Sequence, residues 1–269
     1  MPSDELQTEV PPQPELSPKN RDSGSSGTVQ RLVLWSCALA AGLTAGLAGG
    51  GGGELAYHVV KPVIKLPADF AKLGPYDKSN AIAEADRNAS ARSELANTAI
   101  AYGVLGGVLG GTLGLAGGIA RRSVRGGLAA AVVGVLAGAT AGAGMSAVLT
   151  PVFYQLLNPE TNPLVAPFVT HAGIFAAIGV AGGIALGMGR GGLGAIALAA
   201  FGGFLGALVG ATLFEVGNAL FYPLVRVVEP IPGERLARLA AHFTVALFAA
   251  AGAVIALRES RRVDAPKAR

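Results

Sequence analysis

The sequence predicts an all-α membrane protein of six transmembrane helices, arranged as three related hairpins with pseudo-threefold symmetry and glycine-mediated packing. Three observations lead there. Of the 269 residues, 51% are hydrophobic and only 14% charged, a balance suited to lipid as solvent. The charges are segregated into tails and links, leaving runs of about 20 residues without Asp, Glu, Lys or Arg, the length a helix needs to cross the hydrocarbon core. Finally, the runs resemble one another, as an internal repeat would require.

Residues 1–30 are rich in Pro, Ser and charge and hold too little apolar surface to offset the entropy of ordering, so a disordered tail is expected. A six-span domain follows over 31–258, with spans at about 32–58, 97–120, 127–150, 168–189, 192–217 and 239–257. Trp35 stands where an interfacial anchor would in the first span. A cleaved signal peptide is the rival for this run, because Ala38-Leu39-Ala40 is a small-residue site, but the apolar core from Arg31 to Cys37 is too short. Between spans 1 and 2 lies a non-cytoplasmic segment, 61–96. Its second half, Ser79 to Ala96, lacks Gly and Pro and is Ala-rich with mixed charge, so span 2 is expected to extend outward as one long helix. Residues 259–269 form a basic tail.

Topology follows from the arginines. The links Arg121-Arg122-Ser123-Val124-Arg125 and Gly189-Arg190-Gly191 are short, basic and free of acids, and Arg258, Arg261, Arg262, Lys267 and Arg269 follow the last span. By the positive-inside rule these are cytoplasmic, with both termini, and the expected location is a bacterial inner (plasma) membrane. The basic residues sit at span ends without interleaved aromatics, so no nucleic-acid partner is expected. Cys37 is the only cysteine, which excludes an intramolecular disulfide and a cysteine metal cluster.

Spans 2 and 4 align without gaps, with Thr98 over Thr170, Gly107-Val108 over Gly179-Val180 and Gly110-Gly111 over Gly182-Gly183. Spans 3 and 5 align through Gly134, Gly138 and Gly142 over Gly202, Gly206 and Gly210. Span 1 joins the odd class through Gly42, Gly49, Glu54 and Pro62 over Gly203, Gly210, Glu215 and Pro223. Span 6 joins the even class through His171 over His242. Two helix types thus alternate three times, giving hairpins of spans 1 and 2, 3 and 4, and 5 and 6.

The glycines recur every four residues and so line single helix faces, the small-xxx-small pattern that lets backbones approach closely in lipid. The expected packing residues are Gly107, Gly111, Gly134, Gly138, Gly142, Gly179, Gly183, Gly187, Gly202, Gly206 and Gly210. Runs such as Gly107-Val108-Leu109-Gly110-Gly111 are not phosphate loops, because no strand precedes them and no Gly-Lys-Ser/Thr follows.

Mid-span polar residues are limited to Thr44, Thr112, Thr140 and Ser146, which can bond to their own helices. The remaining polar groups gather near the outer span ends as candidates: Glu54, His58, His171, Glu215, Asn218 and His242. The repeat suggests that Glu54 with Glu215, and His171 with His242, could converge on the axis as a metal site or selectivity ring, although the third junction offers only Ala99 opposite the histidines. No nucleophile, base and acid are grouped in sequence, so no catalytic residue, cofactor or metal is assigned and the chain is not expected to be an enzyme. The leading expectation is a channel or passive transporter for a small, weakly charged solute. The alternative is a non-transporting scaffold or assembly subunit that meets a membrane-protein partner through residues 61–96 or its glycine faces. An enzyme or metal site at the outer interface comes third.

Overall fold

The computed structural model describes residues 23–156, 165–221 and 230–263. Its helices are α1 (Ser23–Val59), α2 (Pro75–Arg121), α3 (Val124–Leu156), α4 (Val165–Arg190), α5 (Leu193–Phe221) and α6 (Arg235–Val263), with a short 3-10 turn at Phe70–Lys72. All six are long and apolar enough to cross a membrane, and on that ground the chain is an integral membrane protein that meets the lipid bilayer.

Several boundaries differ from those expected. Helix α1 begins at Ser23, inside the stretch expected to be disordered. From there to Gln30 no proline interrupts it, and the Gln30 amide donates to the Ala120 carbonyl at 2.8 Å. Helix α3 runs through Pro151 to Leu156, a proline that membrane helices tolerate where neighbours cover the freed backbone. Helix α6 starts at Arg235, earlier than the apolar run, which brings Arg238 into the bundle.

The helices form a closed ring. Each packs against its chain neighbours, α6 closes on α1, and α2, α4 and α6 also touch one another inside. The interior is filled by large side chains: Tyr102, Leu105, Leu109 and Leu113 of α2, Ile174, Phe175, Ile178 and Leu186 of α4, and Val245 of α6 are fully buried.

Glycines stand where helices cross. A Cβ on Gly106 would overlap the Gly138 carbonyl, one on Gly110 the Gly134 carbonyl, and one on Gly142 the Tyr102 carbonyl. The same holds between α4 and α5, at Gly179 against Gly203 and Gly183 against Ala199, and between α5 and α6, at Gly202 against Gly252 and Gly206 against Phe248. Gly187 meets Ile196, and Gly210 lies where a Cβ would be 3.0 Å from the Val245 Cα. On α2 both glycines of each doubled pair face α3: a Cβ on Gly107 would meet Ala139 at an ordinary 3.5 Å, and one on Gly111 would lie 2.7 Å from a Val135 methyl group. Gly106 and Gly110, one residue before them, make the closer approach, backbone to backbone. In α4 the doubled pair serves two neighbours, with Gly183 against α5 and Gly182 against Leu109 and Leu113 of α2.

At the arginine-rich end, the α2–α3 turn places Arg122 in the left-handed region at φ 60°. The α4–α5 turn uses Gly191 at φ 80° and Gly192 at φ 104°, where a side chain would be strained. Arg121 lies against Gly191, and Arg190 of α4 donates to Ala120 near the carbonyl end of α2 at 3.4 Å, where the helix dipole favours a cation. At the opposite end, α2 continues past the bundle as an arm. Its 47 residues span about 70 Å, and most side chains from Pro75 to Arg92 are exposed.

Candidate polar site at the arm end

Five helices and one short irregular segment build the site. His171 lies in the second turn of α4, Glu215 near the end of α5, Tyr102 on α2, and Arg238 and His242 one turn apart on α6. Between them, Pro230, Ile231 and Pro232 return into the bundle as buried, non-helical chain. Irregular backbone at this depth is stable only where protein covers it and its carbonyls find donors.

The carbonyls do find donors. The Tyr102 hydroxyl donates to the Pro230 oxygen at 2.8 Å, and His171 Nε2 faces the same oxygen at 3.1 Å. Arg238 donates to the Pro232 and Gly233 carbonyls at 2.9 and 2.6 Å. Its guanidinium also reaches Oε2 of Glu54 on α1, at 2.6 Å from Nη2 and 3.2 Å from Nε. Charge-assisted bonds of this kind are the strong ones, and they offset the cost of holding Arg238 at 4% exposure.

His171, fully buried, is bonded through Nδ1 to Glu215 Oε1. A carbonyl only accepts, so Nε2 must carry a proton toward Pro230. Nδ1 then shares a second proton with the carboxyl group, as an imidazolium–carboxylate pair or as a neutral histidine beside a carboxylic acid. Phe175 stacks on the His171 ring with centroids 5.5 Å apart, and Phe214 meets it edge-on, which fixes its orientation.

His242 is fixed differently. Its Nδ1 donates to the Arg238 carbonyl at 2.6 Å, one helical turn back. One ring face stacks on Tyr102, while α1 supplies the other wall, where a Cβ on Gly53 would lie 2.9 Å from Cε1. Nε2 is left buried without a partner among the described residues.

The two expected pairings are therefore replaced. Glu54 binds Arg238 and Glu215 binds His171, so the glutamates do not meet as a ring. Each has a partner of its own, Arg238 for Glu54 and His171 for Glu215. Among the described residues no group of three or more His, Cys, Asp or Glu side chains is placed to hold a metal. Asn218, one turn beyond Glu215, is buried with Oδ1 unpartnered among the described residues. His58 lies outside the residues whose side chains are described.

Arg238, Tyr102 and the Pro230–Gly233 carbonyls were not singled out by sequence. Arg238 precedes the apolar run of span 6 and so reads as a flanking charge, yet its place four residues before His242 puts both on one helix face. Tyr102 supplies what the third junction lacks, reaching the cluster from one turn deeper than Ala99. Outside the bundle, the Asn97 amide accepts from the Val60 N–H at 3.0 Å and donates to the Val60 carbonyl at 3.1 Å, clamping α2 to the end of α1. Tyr154 of α3 bonds Glu94 at the base of the arm.

No protein-family model, curated protein or solved structure matches this chain.

Proposed function

We propose that the chain is a non-transporting membrane scaffold, an assembly subunit whose bundle anchors the α2 arm for a protein partner on the non-cytoplasmic side. One observation carries this reading. Outside the bundle, the arm and the segment leading to it expose Val63, Ile64, Leu66, Tyr76 and Ile82, at 68%, 50%, 44%, 77% and 44% of their surfaces. Apolar side chains gathered on a clamped element outside the spans are what a partner would cover.

A channel or passive transporter along the axis is less well supported, because its path needs small residues on the inner faces. Those faces carry Leu, Ile, Tyr and Phe, while the glycines lie at helix crossings. No catalytic role is proposed, since Glu54, Glu215, His171 and Arg238 are engaged with one another or with the Pro230–Gly233 carbonyls.

The threefold scheme fits this reading as a way of making a rigid anchor. The most apolar stretches of α2, α4 and α6 are 67%, 61% and 44% buried, against 39%, 22% and 28% for α1, α3 and α5, so even helices are inner and odd helices outer. Crossings of an even helix with the next odd one fall at aligned positions: a Cβ on Gly107 would lie 3.5 Å from the Val135 carbonyl, and one on Gly179 would overlap the Gly203 carbonyl. Ala250 with Gly42, where a Cβ on the glycine would lie 3.2 Å away, takes the corresponding place for α6 and α1. Glycine contacts supply van der Waals attraction and weak Cα–H bonds where lipid offers no hydrophobic drive. The orientation proposed, with the arginine end and both termini cytoplasmic in a bacterial inner membrane, rests on Arg121, Arg122, Arg125 and Arg190.

Photo-crosslinking tests the proposal. A photoreactive residue at Ile82 in the native membrane is expected to give one discrete protein adduct, while one at Leu115, on the lipid-exposed part of α2, gives lipid adducts only. A pattern identical at both positions would overturn it.

A further inference from the structure

A lipid-facing groove between α5 and α6 lies on the outside of the polar cluster, lined by Leu213, Phe214, Asn218 and Phe221 of α5 and by Ala240 and Thr244 of α6. From Leu213 to Phe221 it runs about 12 Å along the helix, with Asn218 and Phe221 toward the arm end and Leu213 and Thr244 deeper. Its volume of about 220 Å³ is below that of ordinary small-molecule pockets and suits a segment of one chain. Gly217 faces open space there, since a Cβ on it would meet nothing within 4 Å.

Two polar side chains line the groove. The Thr244 hydroxyl is satisfied by the Ala240 carbonyl of its own helix, at 2.5 Å. Asn218 is not satisfied: it is only 8% exposed, and its Oδ1 is buried without a donor among the described residues. An orphan amide acceptor is costly at this depth. The last torsion of Asn is soft, so the amide can turn its oxygen to a donor arriving in the groove.

We propose that this groove is a site for a phospholipid whose headgroup carries a hydrogen-bond donor, an ammonium or a hydroxyl. The bilayer is the medium that fills a lipid-facing groove, the apolar side chains of Leu213 and Phe214 lie deeper than the amide, and the amide oxygen lacks a donor among the described residues. A phospholipid enters with its chain inward and its head at the level of Asn218, matching that polarity. A choline head, with no N–H or O–H, fills the same space and leaves Oδ1 orphaned.

The full chain, reconstituted in phosphatidylcholine vesicles, provides the test. In a Trp35→Phe background, Phe221→Trp places a reporter on the groove, and lipids with brominated chains quench it on contact. Brominated phosphatidylethanolamine or phosphatidylglycerol is expected to associate about 3- to 10-fold more strongly than brominated phosphatidylcholine, as one added hydrogen bond would give. Asn218→Leu is expected to bring the ratio to one, and Gly217→Leu to lower quenching by every lipid while helicity stays unchanged. A ratio of one with Asn218 in place, or a preference that survives Asn218→Leu, would overturn the proposal.

Discussion

Tyr102 and His171 reach from different helices to one acceptor, the carbonyl oxygen of Pro230, at 2.8 and 3.1 Å. That shared acceptor ties α2 and α4 to the segment before α6, and it dictates which proton His171 Nε2 carries. Behind His171 the carboxyl group of Glu215 completes the chain of bonds from α5.

Glutamine at position 215 should be tolerated and leucine should not. In Glu215→Gln the side-chain amide can donate to Nδ1 of a neutral His171, whose Nε2–H still faces Pro230, so the thermal midpoint in detergent should stay close to that of the parent. Glu215→Leu leaves Nδ1 buried and unpaired, a loss of about 1–3 kcal/mol. Equal midpoints for the two variants would show that the His171–Glu215 bond contributes nothing.

The Arg238 guanidinium joins Glu54 on α1 to the 232–233 carbonyls. Glu54→Ala should cost about 2 kcal/mol, since two charge-assisted bonds are lost while two carbonyls still hold the cation. Arg238→Ala should cost more, because both carbonyls and the Glu54 carboxylate lose their donor. Denaturation midpoints in a double-mutant cycle check the coupling, which should lie between about 0.5 and 3 kcal/mol.

Two glycines of α3, six residues apart, should respond in opposite senses to alanine. Gly138→Ala drives a methyl group into the Gly106 backbone and must separate α2 from α3. Gly144 is exposed with open space around its Cβ direction, so Gly144→Ala should stabilise the helix by up to about 1 kcal/mol through propensity alone. Thermal midpoints of the two variants measured side by side check both signs.

Much of the architecture was legible in the sequence, because a bilayer demands long uncharged helices and close crossings demand glycine at every fourth position. The face chosen by each glycine was less legible. Gly106-Gly107 and Gly110-Gly111 offer two stripes, both of which face α3, and only the backbone path of α3 shows that Gly106 and Gly110 make the closer crossing. For the polar cluster, sequence placed Glu54, Glu215, His171 and His242 at one level, since helical rise fixes depth. It paired them by type and not by charge, and the partners were decided by Arg238 and by the Pro230 carbonyl. Backbone acceptors have no residue signature, so a returning segment such as 230–233 is invisible until its chain path is known.

Removal of residues 66–92 tests the scaffold reading most directly. The Asn97–Val60 clamp holds the ends of α1 and α2 together, so residues 61–65 can join them and the bundle can persist without its arm. The size of the complex carrying the chain is then compared in mildly solubilised native membranes, with the thermal midpoint of the purified variant as a folding control. The scaffold reading predicts a folded variant that migrates as a smaller species, having lost its partner. A folded variant still found in a complex of parental size, less only the mass of the deletion, would contradict it.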